Sequence, residues 1–421
     1  MQRDIRATAQ YRQIVEFCRK ARQPGTNSPS DASQLHVSPD GKHAVFAATV
    51  VDRIEEEPPT RIAIIEIGTG ATRLLTHGPN SDRFPMFSAD REKIAFISDR
   101  HRAGDPQLHI LDCSSGVVRA APRVDGSVES LQWNAAGTKI LLGVVGPKRT
   151  AYDPPVDLPS WVPLVEPTDT CDHWRSCWVY EPALDSLRRA PTGECNIWGA
   201  SWLSNDAWIA VTSDGAGEGD WYSASLCSFD LVTGQQRRLY APRNQVGTPI
   251  VSPSGRQIAI VEGLCSDRGP VMGNLILIDA VSGERHEAHT RGVDVLTVEW
   301  QSEQHLLLSG TRGFETVVGL YAVASDAFSE VWSSRDVAVT AGCVSRLSTP
   351  GDCVLIVEGF TRAPEIGVIR AGHYQQIKSF DVGYGEATSD IACVERMSWP
   401  STDGLEIQGW LPQSHGRPRR R

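Results

Sequence analysis

The chain has 421 residues, with 51 acidic side chains against 41 Lys and Arg, and a formal charge of -10 at pH 7. This acidic balance argues against nucleic acid as a partner, because binding to phosphates needs a basic surface. No apolar run approaches the roughly 18 to 20 residues of a membrane span, so we expect no membrane partner.

The first residues predict a short helix and no secretion signal. An N-terminal helix over 4–22 is indicated by apolar residues at i, i+3, i+4 and i+7, namely Tyr11, Ile14, Val15 and Cys18. Pro24 and Gly25 then end it. The N-terminus lacks the apolar stretch of a signal peptide, and the ten cysteines form no disulfide framework. We therefore expect reduced thiols and a cytoplasmic location.

A four-stranded unit recurs seven times along the chain. It is marked by a tight turn before an apolar run, as in Ser-Pro-Asp-Gly at 38–41 and Ser-Pro-Ser-Gly at 252–255. Successive turns are separated by about 50, 46, 70, 48, 49 and 47 residues. A near-constant period of this length, filled with short strands, indicates radial or linear repetition.

A second repeated turn joins the third and fourth strands of the units. Its copies lie at 68–70, 112–116, 230–234 and 279–283, and most begin with Asp and end with Gly. Asp closes such turns through side-chain bonds to the backbone, and Gly adopts the positive φ. We predict an all-β fold: a seven-bladed β-propeller of four-stranded antiparallel blades, preceded by the short helix. Unrelated hairpins in a sandwich are the alternative, which the number of copies disfavours.

The ends of the repeat predict how the ring closes. The first blade has strands near 34–37, 44–50, 61–67 and 72–75, and the last has strands near 343–347, 353–358, 365–369 and 374–379. Each blade is complete from contiguous sequence. We therefore predict an open ring, without strand exchange, held by side-chain packing.

The links between second and third strands are predicted to be long and to form a binding face. They span about 51–60, 99–106, 146–176, 213–224, 263–273, 310–316 and 359–364. In a propeller these links emerge on one side, where repeat proteins often bind partners. Charged and aromatic residues in two adjacent links are candidates for contact with a peptide end: Trp221, Tyr222, Glu262, Asp267 and Arg268. The alternative is that they are ordinary surface residues.

Other candidate chemistry is weaker. Cys171, His173 and Cys177 lack the second ligand pair that zinc sites commonly use, so we expect no metal and no cofactor. The glycine-rich segment 215–219 lacks the spacing of a phosphate loop and is interpreted as a flexible link. The nucleophile motif GxSxG is absent, and the half-match ending at Ser201 lies on a strand. We assign no catalytic residue.

These turns resemble those of a known family. The Ser-Pro-Asp-Gly and Asp-x-x-Thr-Gly turns, with Ser98-Asp99-Arg100 after a blade strand, resemble TolB-type and prolyl-oligopeptidase-type propellers. Segments 395–399 and 401–412 are similar to the junction at which these serine peptidases enter their α/β-hydrolase domain. A helix before the propeller is similar to the acylaminoacyl-peptidase branch, in which it packs on the hydrolase domain.

The resemblance implies a domain division and a function. We expect a helix and linker over 1–30, the propeller over 31–385, and the start of a truncated hydrolase domain with a basic tail over 386–421. In the family the propeller covers the active site and filters access by size, and the substrate is a peptide or acyl-peptide. The catalytic Ser, Asp and His would lie beyond Arg421, so the chain alone is expected to be inactive.

Two consequences and one rival follow from this resemblance. The helix face and the strand 405–411 would be uncovered, which predicts self-association or a partner in trans. The acidic run 55–57 has no confident match to the glutamate pair of the dipeptidyl-peptidase branch, and is interpreted as solvated. The rival is a free-standing TolB-like propeller that binds a protein or peptide.

Overall fold

The fold consists of short antiparallel strands in consecutive four-stranded sheets. The computed structural model describes residues 4–22, 28–53, 58–78, 80–146, 173–340 and 342–414. Seven sheets are each built from contiguous sequence, and an eighth, two-stranded sheet follows them. This confirms the predicted seven-bladed β-propeller.

The first four blades contain sixteen strands. Blade 1 holds β1 (Pro29–Val37), β2 (His43–Val50), β3 (Thr60–Glu66) and β4 (Thr72–Leu74). Blade 2 holds β5 (Asp82–Phe87), β6 (Lys93–Ser98), β7 (Gln107–Asp112) and β8 (Val118–Ala120). Blade 3 holds β9 (Ser127–Trp133), β10 (Ile140–Val145), β11 (Arg175–Glu181) and β12 (Ser186–Arg189). Blade 4 holds β13 (Asn196–Trp202), β14 (Ala207–Ser213), β15 (Ser225–Asp230) and β16 (Gln236–Tyr240).

The remaining blades follow the same plan. Blade 5 holds β17 (Gln245–Val246), β18 (Ile250–Val251), β19 (Gln257–Gly263), β20 (Asn274–Asp279) and β21 (Arg285–Glu287). Blade 6 holds β22 (Asp294–Trp300), β23 (His305–Arg312), β24 (Glu315–Ala322) and β25 (Ala327–Ser334). Blade 7 holds β26 (Val344–Arg346), β27 (Cys353–Gly359), β28 (Arg362–Arg370) and β29 (His373–Ser379). In blade 5, β17 and β18 form one interrupted first strand beside β19, because Pro249 has no N–H to donate to the ladder.

Helices and a hairpin complete the described structure. Helix α1 (Ala9–Ala21) confirms the N-terminal helix, and the Thr8 hydroxyl caps it by accepting from the Tyr11 N–H at 3.2 Å. A short α2 (Tyr384–Ala387) precedes the hairpin of β30 (Ile391–Pro400) and β31 (Glu406–Ser414). Among the residues in view, no helix is long and apolar enough to cross a membrane.

The repeated turns close as their sequence predicts. In the turn after β15, Asp230 Oδ1 accepts from the N–H of Val232 at 3.0 Å and of Thr233 at 2.6 Å. Gly234 follows with φ +71°. The bond from the Thr233 N–H is the largest cause that lowers the pKa of Asp230. The Asp230 side chain therefore stabilises this turn through bonds to nearby backbone groups, which is why a short sequence signature accompanies it.

Blades 1 and 7 meet without exchanging a strand. Their buried side chains form one apolar cluster that includes Phe46 and Ile65 from blade 1 and Ile356 and Ile366 from blade 7. Single hydrogen bonds accompany this packing, such as that from the Leu35 N–H to the Gly342 carbonyl at 2.9 Å. Each blade keeps its own four strands, which confirms the open ring.

Some predicted boundaries are wrong. The links between β23 and β24 and between β27 and β28 contain only residues 313–314 and 360–361, because the strands continue through the polar residues at their ends. Strand β1 begins at Pro29 rather than near residue 34. Of the predicted link 146–176, residues 147–172 lie outside the described structure.

The described residues divide into two compact units. One comprises residues within 1–85, 307–320 and 328–421, and it contains blades 1 and 7, both helices and the hairpin. The other comprises 86–306 and 321–327, and it contains the whole of blades 3, 4 and 5. The division into 1–30, 31–385 and 386–421 stays a prediction.

Candidate functional site

Four of the five candidate contact residues lie around one cleft. The link after β14 contributes Trp221 and Tyr222, and the link after β19 contributes Asp267 and Arg268. The cleft has a volume of about 590 Å³. This lies within the roughly 300 to 1,000 Å³ of typical ligand sites.

A short 3-10 helix forms one wall of the cleft, and it begins within the glycine-rich segment 215–219. It covers Glu218–Ser223, and Asp220 Oδ2 accepts from the Gly217 N–H at 3.0 Å at its start. The Trp221 indole is 2% exposed and donates its N–H to the Val246 carbonyl at 3.3 Å. Trp221 therefore anchors the wall, and the neighbouring Tyr222 remains about half exposed at the cleft.

The opposite wall is held by a bond from Tyr222. Its hydroxyl donates to the Ser266 carbonyl at 3.1 Å. On the same link, Asp267 Oδ1 accepts from the Gly269 N–H at 2.8 Å. The two links are thus joined directly, which fixes the width of the cleft on this side.

Two arginines, one of which lines the cleft, lie close to the ring of one tryptophan. The guanidinium carbons of Arg175 and Arg268 lie 5.0 and 5.7 Å from the centre of the Trp198 ring. Such distances are typical of cation–π contacts. Arg175 Nε donates to Glu129 at 2.9 Å, and Arg268 Nε lies 3.3 Å from Glu218. Residues from blades 3, 4 and 5 therefore form one charged network.

Glu262 does not line the cleft. It lies on strand β19, not in the following link, and is 7% exposed. Its carboxylate accepts from the Tyr240 hydroxyl at 2.5 Å and from the N–H groups of Arg243 and Asn244 at 2.9 and 3.0 Å. Burial, followed by this bond, raises the pKa of Tyr240 to about 12. Glu262 therefore connects blades 4 and 5 from within.

Sequence reasoning missed four residues of this network. Glu218 is the only one with a local signal, because it lies three residues before Trp221 in the same link. Glu129 and Arg175 lie on strands β9 and β11 of blade 3, and Trp198 lies on β13, the first strand of blade 4. Their proximity depends on how neighbouring blades are placed, and no short motif records it.

The described residues hold no metal cluster and none of the weaker motifs forms a site. No group of three or more His, Cys, Asp or Glu side chains in the described ranges is arranged to hold a metal ion. Cys177 is buried on β11, and burial raises the pKa of its thiol. The Ser201 hydroxyl donates to the Pro249 carbonyl at 2.5 Å. Cys171 and the acidic run 55–57 lie outside the described residues.

The second notable surface is one face of the β30–β31 hairpin. These strands pair with each other and with no other described strand. Their register places four apolar side chains on one face, each 37 to 44% exposed: Met397, Trp399, Ile407 and Leu411. On the opposite face, the Trp410 ring lies 5.0 Å from that of Phe314 and 6.2 Å from that of Phe360. The hairpin face with Trp410 therefore packs against Phe314 and Phe360, and the opposite face exposes apolar side chains.

Comparison with known proteins gives one curated relative over a limited segment. No protein-family model matches the chain. Over 108 residues, the chain is 32% identical to the uncharacterized peptidase YuxL of Bacillus subtilis. This segment is 25% of the chain and 16% of that peptidase.

Solved structures match over most of the chain. The acylaminoacyl peptidase of Pyrococcus horikoshii matches 90% of the chain with a TM-score of 0.64 and 12% identity, and the chain covers 57% of it. The β-propeller domain of the Trilobed protease from Pyrococcus furiosus, reported to have an open velcro topology, matches 85% of the chain. There the TM-score is 0.57, the identity is 13%, and 98% of that domain is covered. The chain therefore has the fold of peptidase propeller domains, which confirms its resemblance to the propellers of prolyl-oligopeptidase-type and acylaminoacyl peptidases.

Proposed function

We propose that this propeller is the substrate-gating and interaction domain of a serine peptidase of the prolyl-oligopeptidase family, and that it is not catalytic by itself. Catalysis would be supplied by an α/β-hydrolase domain that docks on the β30–β31 hairpin. The observation that carries the proposal is the apolar, uncovered face of that hairpin.

The hairpin has the properties of an incomplete sheet. A two-stranded hairpin is marginally stable in water unless a further strand or layer packs on it. Here, one face packs through Trp410, and the other exposes Met397, Trp399, Ile407 and Leu411. Covering apolar area contributes roughly 25 cal/mol per Å². A second layer on this face would therefore be stabilising.

Helix α1 provides a further uncovered apolar surface in the same unit. Tyr11, Ile14 and Phe17 are 36, 55 and 48% exposed, and Ala21 is the one residue of this helix that is fully buried. A helix with such a face normally packs on another layer. Two such surfaces in one unit support a docking domain more strongly than either surface alone.

The comparisons support the same proposal. The chain matches 57% of an acylaminoacyl peptidase and nearly all of an isolated protease propeller. A peptide or acyl-peptide is then the proposed substrate of the complete enzyme. We propose a cytoplasmic location, because the ten cysteines of the sequence form no regular disulfide framework.

A second function, a free-standing peptide-binding module, is favoured by the Tyr222 cleft. This cleft is formed by blades 4 and 5 alone and needs no hydrolase domain. Both functions share binding of a peptide at the cleft. They differ in what covers the hairpin.

Photo-crosslinking from the hairpin tests the docking. Trp399 is replaced by benzoylphenylalanine in the native cells, and Gln408 on the opposite face is replaced in a control. We expect position 399 to crosslink to a polypeptide that a serine-directed fluorophosphonate also labels, and we expect the purified chain itself to stay unlabelled. Labelling of the chain, or crosslinks equal at both positions, would overturn the proposal.

A further inference from the structure

The cleft between blades 4 and 5 has a charge balance that selects among peptides. We infer that it recognises a cationic group of a peptide, either an ammonium or a guanidinium. This inference rests on the proposed peptide binding and names the chemistry of the group that is bound.

Acidic groups outnumber basic groups around the cleft. The residues that line the cleft and the ion pairs beside Trp198 together contain three carboxylates and two guanidinium groups: Glu129, Glu218, Asp267, Arg175 and Arg268. Their formal charges sum to -1. A further positive charge would neutralise this excess, whereas an anion would increase it.

Neither arginine is well placed to receive an anionic ligand. The Arg175 side chain is 9% exposed, and its Nε already donates to Glu129. Arg268 is 30% exposed, lies against the Trp198 ring, and has Glu218 3.3 Å from its Nε. An incoming carboxylate would therefore have to displace an existing ion pair.

The carboxylates, in contrast, have acceptor capacity directed to solvent. The Glu218 side chain is 65% exposed, and its contacts with the two arginines are long, at 3.3 to 3.7 Å. Asp267 is exposed and uses Oδ1 to accept from the Gly269 N–H. Its Oδ2 has no hydrogen bond to any described residue. Ionised acceptors of this kind make the strongest bonds with cationic donors.

An aromatic face beside these carboxylates favours an organic cation. Tyr222 is 48% exposed, and its hydroxyl is bonded to the Ser266 carbonyl, so the ring is held in place. Ammonium and guanidinium groups are attracted to aromatic faces. A calcium ion would instead need six to eight oxygen ligands, and the cleft offers two exposed carboxylates.

The positive charge has two sources in a peptide, its amino terminus and a Lys or Arg side chain. Three C-terminally amidated Gly/Ala pentapeptides separate them: one with a free amino terminus, one acetylated, and one acetylated with a central Lys. We expect the two charged peptides to bind to the full chain in calorimetry at least about five-fold more tightly than the neutral peptide. If only one charged peptide binds, that peptide identifies the source.

Substitutions in the cleft assign the effect to its carboxylates. Glu218→Gln and Asp267→Asn should each weaken binding of the charged peptide by about two- to five-fold and leave the neutral peptide unaffected. Glu284→Gln is the matched control, because Glu284 is exposed in the turn between β20 and β21 and lies outside the cleft. Raising the salt concentration should reduce the preference for charged peptides.

The outcomes separate this inference from the proposed function. Equal binding of all three peptides would overturn the preference for a cation and leave peptide binding intact. An undiminished preference in both variants would overturn the assignment to Glu218 and Asp267. Absence of binding by every peptide would overturn the inference together with the proposed peptide binding, but would leave the docking of the hairpin to be judged by crosslinking.

Discussion

The indole ring of Trp399 lies over Gly409 on the neighbouring strand of the hairpin. A Cβ atom at Gly409 would lie 3.1 Å from the edge of that ring. Because glycine has no side chain, the edge of the indole can approach the backbone of β31 on the face that also carries Met397 and Ile407. The two strands therefore both contribute to the exposed apolar face of the hairpin.

Removing this surface should change association more than stability. We expect Trp399→Ser combined with Ile407→Ser to reduce self-association and binding of the dye ANS, since both side chains are 37% or more exposed. The free energy of unfolding should change by less than about 1 kcal/mol. Sedimentation velocity and urea unfolding measure the two effects. Trp410→Ser, which removes the contact with Phe314, should instead destabilise the hairpin. Unchanged association in the double variant would contradict the role of this face.

The two arginines beside Trp198 should differ in their effect on stability. Arg175→Met removes a 9% exposed guanidinium and leaves Glu129 without its 2.9 Å partner, so we expect a loss of about 1–3 kcal/mol. Arg268→Met removes a more exposed group with longer ion pairs and should cost less than about 1 kcal/mol. Urea unfolding of the two variants tests the order. A larger loss of unfolding free energy in Arg268→Met than in Arg175→Met would contradict this order and show that the ion pairs of Arg268 stabilise the fold more than those of Arg175.

The fold is predictable from the sequence because its signals are local. In the turn at 230–234 the Asp230 side chain accepts from the backbone N–H groups of Val232 and Thr233, so a short sequence signature is sufficient to recognise the turn. Helix α1 is also recognised locally, from the helical spacing of its apolar residues and from Thr8, whose hydroxyl caps its first turn. The sequence predicts longer links than the structure has at 313–314 and 360–361, because glycine and polar residues at strand ends have the composition of a loop.

The site is only partly predictable, because it depends on contacts between blades. Trp221, Tyr222, Asp267 and Arg268 are found by their position in adjacent links. Glu262 has the same composition signal, yet it lies at the end of β19 with its carboxylate buried. Glu262 differs from the four cleft residues because β19 ends at Gly263, one residue after Glu262, and the strand therefore includes it.

Two glycines in equivalent turns should tolerate alanine differently. Gly70 and Gly116 have φ of +73° and +71°, so each Gly→Ala change costs about 1–2 kcal/mol from the backbone alone. At Gly70 the new Cβ would also clash with the Ile377 carbonyl oxygen, whereas at Gly116 nothing lies within 4 Å. We expect Gly70→Ala to cost a further ~1–3 kcal/mol. If chemical denaturation gives equal losses of unfolding free energy for the two variants, the backbone at Ile377 moves away from the new methyl group without cost.

Asp326 should tolerate Asn better than Ala. It adopts a left-handed conformation with φ +47°, which Asn accepts more readily than Ala. Its Oδ1 accepts from the hydroxyl of the buried Tyr321 at 2.7 Å, and its Oδ2 lies 2.5 Å from His289 Nδ1. Asp326→Ala should cost about 1–3 kcal/mol, since Tyr321 loses its acceptor. Asp326→Asn keeps an acceptor oxygen and should cost less. Thermal unfolding compares them, and equal losses would show that the charge alone matters.

Acid should weaken the fold through His36 on β1. Burial, and secondarily the nearby Arg346, lower the pKa of His36 to about 4 from the ordinary 6.5. As the pH falls below 6.5, the unfolded chain binds a proton that the folded protein does not, so stability is lost between pH 6.5 and 4. A full shift of this size corresponds to roughly 3 kcal/mol. Because His36 is only half-buried, we expect about 1–2 kcal/mol.

A neutral replacement isolates this contribution from the carboxylates that titrate over the same range. His36→Gln cannot bind the proton, so its free energy of unfolding should fall less steeply between pH 6.5 and 4.5 than that of the unmodified chain. Above pH 7 the difference between the two proteins should be constant, because His36 is then neutral in both the folded and the unfolded states. Urea unfolding at pH 7.5, 6.0, 5.0 and 4.5 gives both curves. Parallel curves across this range would mean that His36 takes up its proton as readily in the folded protein as in the unfolded chain, and that acid acts elsewhere.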